Sequence, residues 1–89
     1  MEDEKTVIAA VLAGDTEAFG ALVRAHQARI RLVCVARLGQ LEEADDAAQD
    51  VFVKAYKALP VFKGDSSFGT WAIRIADNQI GRASYRERV

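Results

Sequence analysis

Glu43-Ala44-Asp45-Asp46-Ala47-Ala48-Gln49-Asp50-Val51-Phe52-Val53-Lys54-Ala55-Tyr56-Lys57-Ala58-Leu59-Pro60 is the stretch that decides the fold class. Ala44, Ala47, Ala48, Val51, Phe52, Ala55, Tyr56 and Leu59 recur at the three- and four-residue steps of a single helix face. Glu42, Glu43, Asp45, Asp46 and Asp50 gather toward its N-terminal end and Lys54 and Lys57 toward its C-terminal end, the order that the helix dipole favours. Pro60 lacks the amide hydrogen a continuing helix needs, so the helix is predicted over roughly 43–59.

Upstream, Phe19, Leu22, Val23, Ile30, Val33, Cys34 and Leu38 form the apolar stripe of a second helix, with Gly39 as its C-terminal stop. Asp15 is placed to cap that helix, with Glu17 in its first turn. Val7, Ile8, Val11 and Leu12 share one face of a short first helix that stops at Gly14. Downstream, the loop Val61-Phe62-Lys63-Gly64-Asp65-Ser66 leads into a last helix capped by Ser66 or Ser67. That helix aligns Phe68, Trp71, Ala72, Ile75 and Ala76 and frays near Gly81. Internal repeats, low-complexity tracts and alternating β-branched runs are all missing. The expectation is an all-α fold, a single compact domain of four helices over residues 1–89, the first being the shortest.

Composition narrows the function. The 89 residues leave room for one core, and 51% hydrophobic with 28% charged side chains is the profile of a folded chain. So short a chain buries a modest share of its surface, which points to a fragment or an assembly component. Cys34 has no second cysteine to pair with, and with His26 it makes no zinc-ligand set, so no metal or other cofactor is expected. The acidic start does not suit a signal peptide, and the longest apolar run, Val7 to Ala13, is too short to cross a bilayer; the expected location is the cytoplasm, without membrane insertion. A net charge of −1 argues against coating nucleic acid by bulk charge. Its distribution is uneven: residues 1–60 carry seven basic and ten acidic side chains, residues 61–89 five basic and three acidic. A polyanion would therefore meet the C-terminal end.

Enzyme chemistry would leave a nucleophile with its base, a carboxylate pair or a phosphate-cradling glycine loop, and none of these spacings occurs. His26 has no partner evident in the sequence, and no catalytic residue is expected. Residues 59–78 instead interleave aromatic, cationic and amide side chains, which suits single-stranded nucleic acid: a base stacks on a ring, bonds to an amide and leaves its phosphates to Lys or Arg. Spacing alone leaves choices open. Phe68 and Trp71 either complete the core or form such a wall, and Phe62 either plugs a helix junction or lines a pocket.

Three segments in order resemble region 2 of bacterial RNA polymerase sigma factors, most closely the extracytoplasmic-function group. They are Asp46-Ala47-Ala48-Gln49-Asp50-Val51-Phe52-Val53-Lys54-Ala55-Tyr56, Phe62-Lys63-Gly64-Asp65-Ser66-Ser67-Phe68-Gly69-Thr70-Trp71 and Arg74-Ile75-Ala76-Asp77-Asn78. Residues 14–23 resemble the beginning of that domain, which extends the likeness from about Thr6 to Arg88. The resemblance implies a transcription initiation factor domain that binds core RNA polymerase and recognises and melts the promoter minus-ten element. Asp46, Gln49, Asp50, Phe52, Lys54 and Tyr56 fall where the family docks on a coiled coil of the polymerase β′ subunit. From the residues alone, Asp45 reads as a dipole partner on a solvated face and Phe52 as core. Phe62, Lys63, Gly64, Asp65, Ser66 and Ser67 match the loop that receives a base of the non-template strand. Asn78 matches a base-reading amide and Trp71 an aromatic near the upstream fork, with Arg74, Arg82, Arg86 and Arg88 on phosphates.

An anti-sigma factor is a further partner implied by the resemblance. Ala47 and Ala48 replace the large aliphatic residues usual in the family, and Arg82 stands where an Asp is common. Because the chain ends at Val89, the helix-turn-helix of region 4 is expected to be absent, as in an excised or incomplete protein. The competing reading is a helical adaptor that binds only protein through a Trp71 and Phe62 surface.

Overall fold

The structure, a computed structural model, describes residues 3–81. Four α-helices, α1 (Glu4–Leu12), α2 (Thr16–Leu38), α3 (Leu41–Ala58) and α4 (Phe68–Gly81), follow one another with one 3-10 turn, Leu59–Val61, after α3. Among the described residues there is no strand, and α1 is the shortest of the α-helices. The expected all-α fold is what the chain forms.

Local chemistry sets most of the boundaries. The Asp15 carboxylate accepts the Ala18 amide at 3.3 Å and starts α2. Gly39 ends it in the left-handed region at φ 77°, its amide donating to the Val35 carbonyl. Gly14, at φ 110°, turns the chain between α1 and α2. α3 begins at Leu41, two residues before its predicted start, and ends at Ala58. Pro60 then sits inside the tighter 3-10 turn, and Leu59 is buried there.

α2 packs against the other three helices, and α3 also packs on α4. Leu22, Ile30 and Cys34 from α2 meet Ala44, Ala47, Ala48, Val51, Phe52 and Ala55 from α3 and Phe68, Ala72, Ala76 and Ile80 from α4. Two members of the predicted stripes lie outside this core. Leu12 is 52% exposed at the end of α1, and Tyr56 is 43% exposed, with its ring edge-on to Phe19 at 5.0 Å between centroids. A tyrosine can bury one side of its ring while its hydroxyl stays wet, which helical spacing does not reveal. Arg31 pairs with Asp45 across α2 and α3, and Arg37 with Asp77 across α2 and α4. Both pairs are about half exposed, so they orient the helices more than they stabilise them.

The alanines on α3 bring helix backbones close. Ala47 is fully buried, and its carbonyl accepts a 3.2 Å hydrogen bond from Nε2 of the buried Gln79 on α4. Ala47→Leu is therefore expected to overpack this contact at a cost of about 1–3 kcal/mol. For a domain of this size thermal denaturation should show a fall of about 4 °C or more in Tm. An unchanged Tm would mean that the alanine face is looser than its burial indicates.

Candidate nucleic-acid interface

Phe62 leaves the 3-10 turn in extended conformation, its amide still tied to the Leu59 carbonyl at 3.0 Å. Gly64 then reverses the chain at φ 77°, a conformation costly for any residue with a Cβ. Ser67, not Ser66, is the cap of α4: its Oγ accepts the Thr70 amide at 3.2 Å and its carbonyl accepts the Trp71 amide at 3.0 Å. The loop is thus short and fixed at both ends.

Phe68 is fully buried and is the hub of an aromatic cluster. Its ring meets those of Trp71 (5.8 Å), His26 (5.4 Å), Phe19 (6.3 Å) and Phe62 (6.5 Å). Phe62 and Trp71 form the outer layer, half-buried, with centroids 4.6 Å apart and planes tilted by 36°. The choice left open by spacing is resolved: Phe68 is core, while Phe62 and Trp71 each have one side in the core and one outside it.

On that outer side lies a pocket of about 200 Å³ lined by Val61, Phe62, Lys63, Asp65, Ser66, Trp71 and Arg74. Its volume is below the roughly 300–1,000 Å³ of whole small-molecule sites, a size that suits one planar group more than an entire ligand. Two rings offer stacking, Lys63 and Arg74 offer cations, and Asp65 and Ser66 offer an acceptor and a hydroxyl. Gly64 and Ser67 face a second groove of about 350 Å³ on the α1 side of the loop. Asn78 is exposed on the α4 stripe that carries Trp71 and Arg74, one turn beyond the pocket lining. Arg82, Arg86 and Arg88 lie outside the described residues.

The other candidate surface is on α3. Asp46, Gln49, Asp50 and Lys54 are exposed on one side of the helix, with the exposed Val53 among them. Phe52 does not belong to that side. It is 8% exposed, and it borders a groove between α2 and α3 that Gln49, Asp45 and Arg31 also line. Helical geometry is the reason, since Phe52 follows Ala48 and Val51 by four and one residues and lands near the buried stripe. Tyr56 is reachable from solvent but stands toward Phe19 on α2.

Two polar residues that sequence reasoning did not select join the site. Glu4 Oε1 accepts the Phe68 backbone amide at 3.0 Å, and Glu4 Oε2 lies 2.9 Å from His26 Nε2. Glu4 and Phe68 are too far apart in the chain for any local pattern to link them. Cys34 is buried beneath Asp77 and Arg37, and burial pushes its thiol pKa up; Asp77 adds to the rise and Arg37 opposes it. It is therefore an inert core thiol at neutral pH. Among the described residues no group of three His, Cys, Asp or Glu side chains could hold a metal ion, and no helix is long and apolar enough to cross a membrane.

The family model described as Sigma-70 region 2 matches residues 22–88. The chain is 43% identical over 77 residues to the RNA polymerase sigma-H factor of Pseudomonas aeruginosa, covering 86% of this chain and 40% of that protein. It is 38% identical over 74 residues to the ECF RNA polymerase sigma factor SigW of Bacillus subtilis, covering 83% and 40%. It is 39% identical over 75 residues to the ECF RNA polymerase sigma-E factor of Escherichia coli, covering 84% and 39%. The chain spans about 40% of the length of these relatives. A chain that is α-helical without strands among its described residues, whose loop and last helix build an aromatic pocket and which is matched over most of its length in this way, belongs to the Sigma-70 region 2 family of sigma factors, with extracytoplasmic-function factors among its relatives.

Proposed function

We propose that this domain is a cytoplasmic transcription initiation module that binds core RNA polymerase through α3 and captures the non-template strand of the promoter minus-ten element at the loop and α4. It is a binding domain and not an enzyme. The observation that carries this reading is the pocket between loop and α4, where Phe62 and Trp71 are half-buried beside Lys63 and Arg74. Rings already held against a buried hub lose little freedom on stacking with a base, and the cations lie where phosphates would pass. The β′ coiled coil is the proposed partner of the polar side bearing Asp46, Gln49, Asp50 and Lys54, with Phe52 and Tyr56 flanking it. An anti-sigma factor is a further proposed partner, through the family likeness.

The test uses the 89-residue chain, fluorescein-labelled single-stranded promoter DNA and core polymerase. Fluorescence anisotropy should show binding that weakens as salt rises. Lys63 and Arg74 alone would give a slope of about −1.4 in log affinity against log salt, from about −0.7 per neutralised phosphate. Gln49→Ala should lower retention on core polymerase while leaving this DNA binding intact. Polymerase or partner binding with no DNA affinity at low salt would instead favour a protein-only adaptor, and unchanged polymerase retention would remove α3 from the assignment.

A further inference from the structure

Glu4 joins three elements through one carboxylate. Oε1 accepts the Phe68 amide at 3.0 Å, and Oε2 is 2.9 Å from His26 Nε2 on α2. The Phe68 amide is the first of the amides that α4 leaves unpaired at its N-terminus, and the Ser67 hydroxyl accepts only from Thr70. A carboxylate at this point both completes the capping and meets the positive end of the helix dipole. His26 is itself locked in place: its ring packs on Phe68, and a Cβ added at Gly69 would come within 3.0 Å of its Nδ1. A side chain at this position would require the imidazole to give way by a few tenths of an ångström.

Asp3, Glu4, Lys5 and Ile8 form one wall of the 350 Å³ groove, and the loop from Phe62 to Phe68 contributes to the other. Phe62, Asp65 and Ser66 line both this groove and the 200 Å³ pocket behind it. Whatever fixes the α1 side of the loop therefore fixes the pocket. We infer that Glu4, seated on His26, is a positioning residue for base capture: by holding the Phe68 amide it sets where the loop, and with it Phe62, stands relative to Trp71. α1 is then part of the nucleic-acid site although the family match begins only at residue 22. This inference rests on the function proposed above.

The experiment compares the wild-type chain with Glu4→Ala and Glu4→Gln. One readout is amide hydrogen exchange at Phe68 in the free domain; the other is affinity for the fluorescein-labelled single strand. A lost hydrogen bond to a charged acceptor should speed Phe68 exchange by about tenfold or more in Glu4→Ala. If the loop then holds its competent position a tenth to a third of the time, DNA affinity falls about three- to tenfold. Glu4→Gln keeps an oxygen for the Phe68 amide but loses the charge, and should recover both readouts in part, falling between wild type and Glu4→Ala.

Polymerase retention should not change in any of the variants. Unaltered Phe68 protection in Glu4→Ala would overturn the latch. Faster exchange with unaltered DNA affinity, or a glutamine variant no better than alanine, would overturn the positioning role. If wild type binds no DNA while Phe68 exchange responds as described, the proposed function fails, and the positioning role falls with it, while the latch stands.

Discussion

Phe68→Ala is expected to destabilise the domain by about 3–5 kcal/mol, the range for truncating a fully buried phenylalanine. The total stability of a domain this size is roughly 5–10 kcal/mol, so about a third of it at the least depends on one ring. The reason lies in what the ring touches. Phe68 has no exposed surface and meets rings from α2 (Phe19 and His26), the loop (Phe62) and its own helix (Trp71). A cavity there cannot close by the movement of one neighbour, because those neighbours are anchored on different elements. Urea denaturation followed by circular dichroism should show a large drop in the midpoint at nearly constant slope. A loss below about 1 kcal/mol would mean that the surrounding helices collapse into the space and that the ring is not a rigid hub.

The parts of this fold that could be read from the sequence are those in which the deciding groups lie within a turn of one another. Asp15 capping Ala18, Gly39 closing α2 and the start of α4 after the serine pair all involve neighbours in the chain. The α3 face was legible for a similar reason, since Ala44, Ala47, Ala48, Val51, Phe52 and Ala55 repeat a single period and all are buried. Periodicity identifies a face but not what covers its edges. Tyr56 lies at the margin of the α3 stripe, where only one side of its ring is covered by Phe19 of α2, and Leu12 lies exposed at the end of the shortest helix. Gln79 is the converse. Glutamines are mostly exposed, yet this one is buried, where the small Ala47 opposite leaves a carbonyl within reach of its amide.

The candidate site was legible to the same extent. The loop and α4 stripe are contiguous in sequence, and Phe62, Lys63, Asp65, Ser66, Trp71 and Arg74 line one pocket, while Gly64 and Ser67 face the neighbouring groove and Asn78 lies beyond the lining. Its support was not legible, because Glu4 and His26 reach it from α1 and α2. The charge split was only half the picture as well. Arg31 and Arg37 from α2 answer Asp45 on α3 and Asp77 on α4, so part of the acidic charge is committed inside the fold before any partner arrives.

Phe62→Ala and Trp71→Ala should each weaken single-stranded DNA binding by about 5- to 150-fold, since stacking of one base on an aromatic ring is worth about 1–3 kcal/mol by alanine substitution. Because the two rings lie 4.6 Å apart, they form one wall, and the double variant should lose less than the sum of the two single losses. Both rings are only half-buried, so each truncation should cost less stability than Phe68→Ala and leave a folded domain that still binds polymerase through α3. Asn78→Ala should act differently. Its amide is exposed beyond the pocket lining, so its loss should flatten the preference among strand sequences more than it lowers affinity for all of them. Arg74→Ala should instead reduce affinity evenly across sequences and lower the salt slope by about 0.7. Anisotropy titrations of a small panel of single strands at two salt concentrations separate these effects. If Phe62→Ala lost DNA and polymerase binding in equal measure, the ring would be serving the fold alone. If Trp71→Ala bound every strand as wild type does, the wall between loop and α4 would not be where the base stacks.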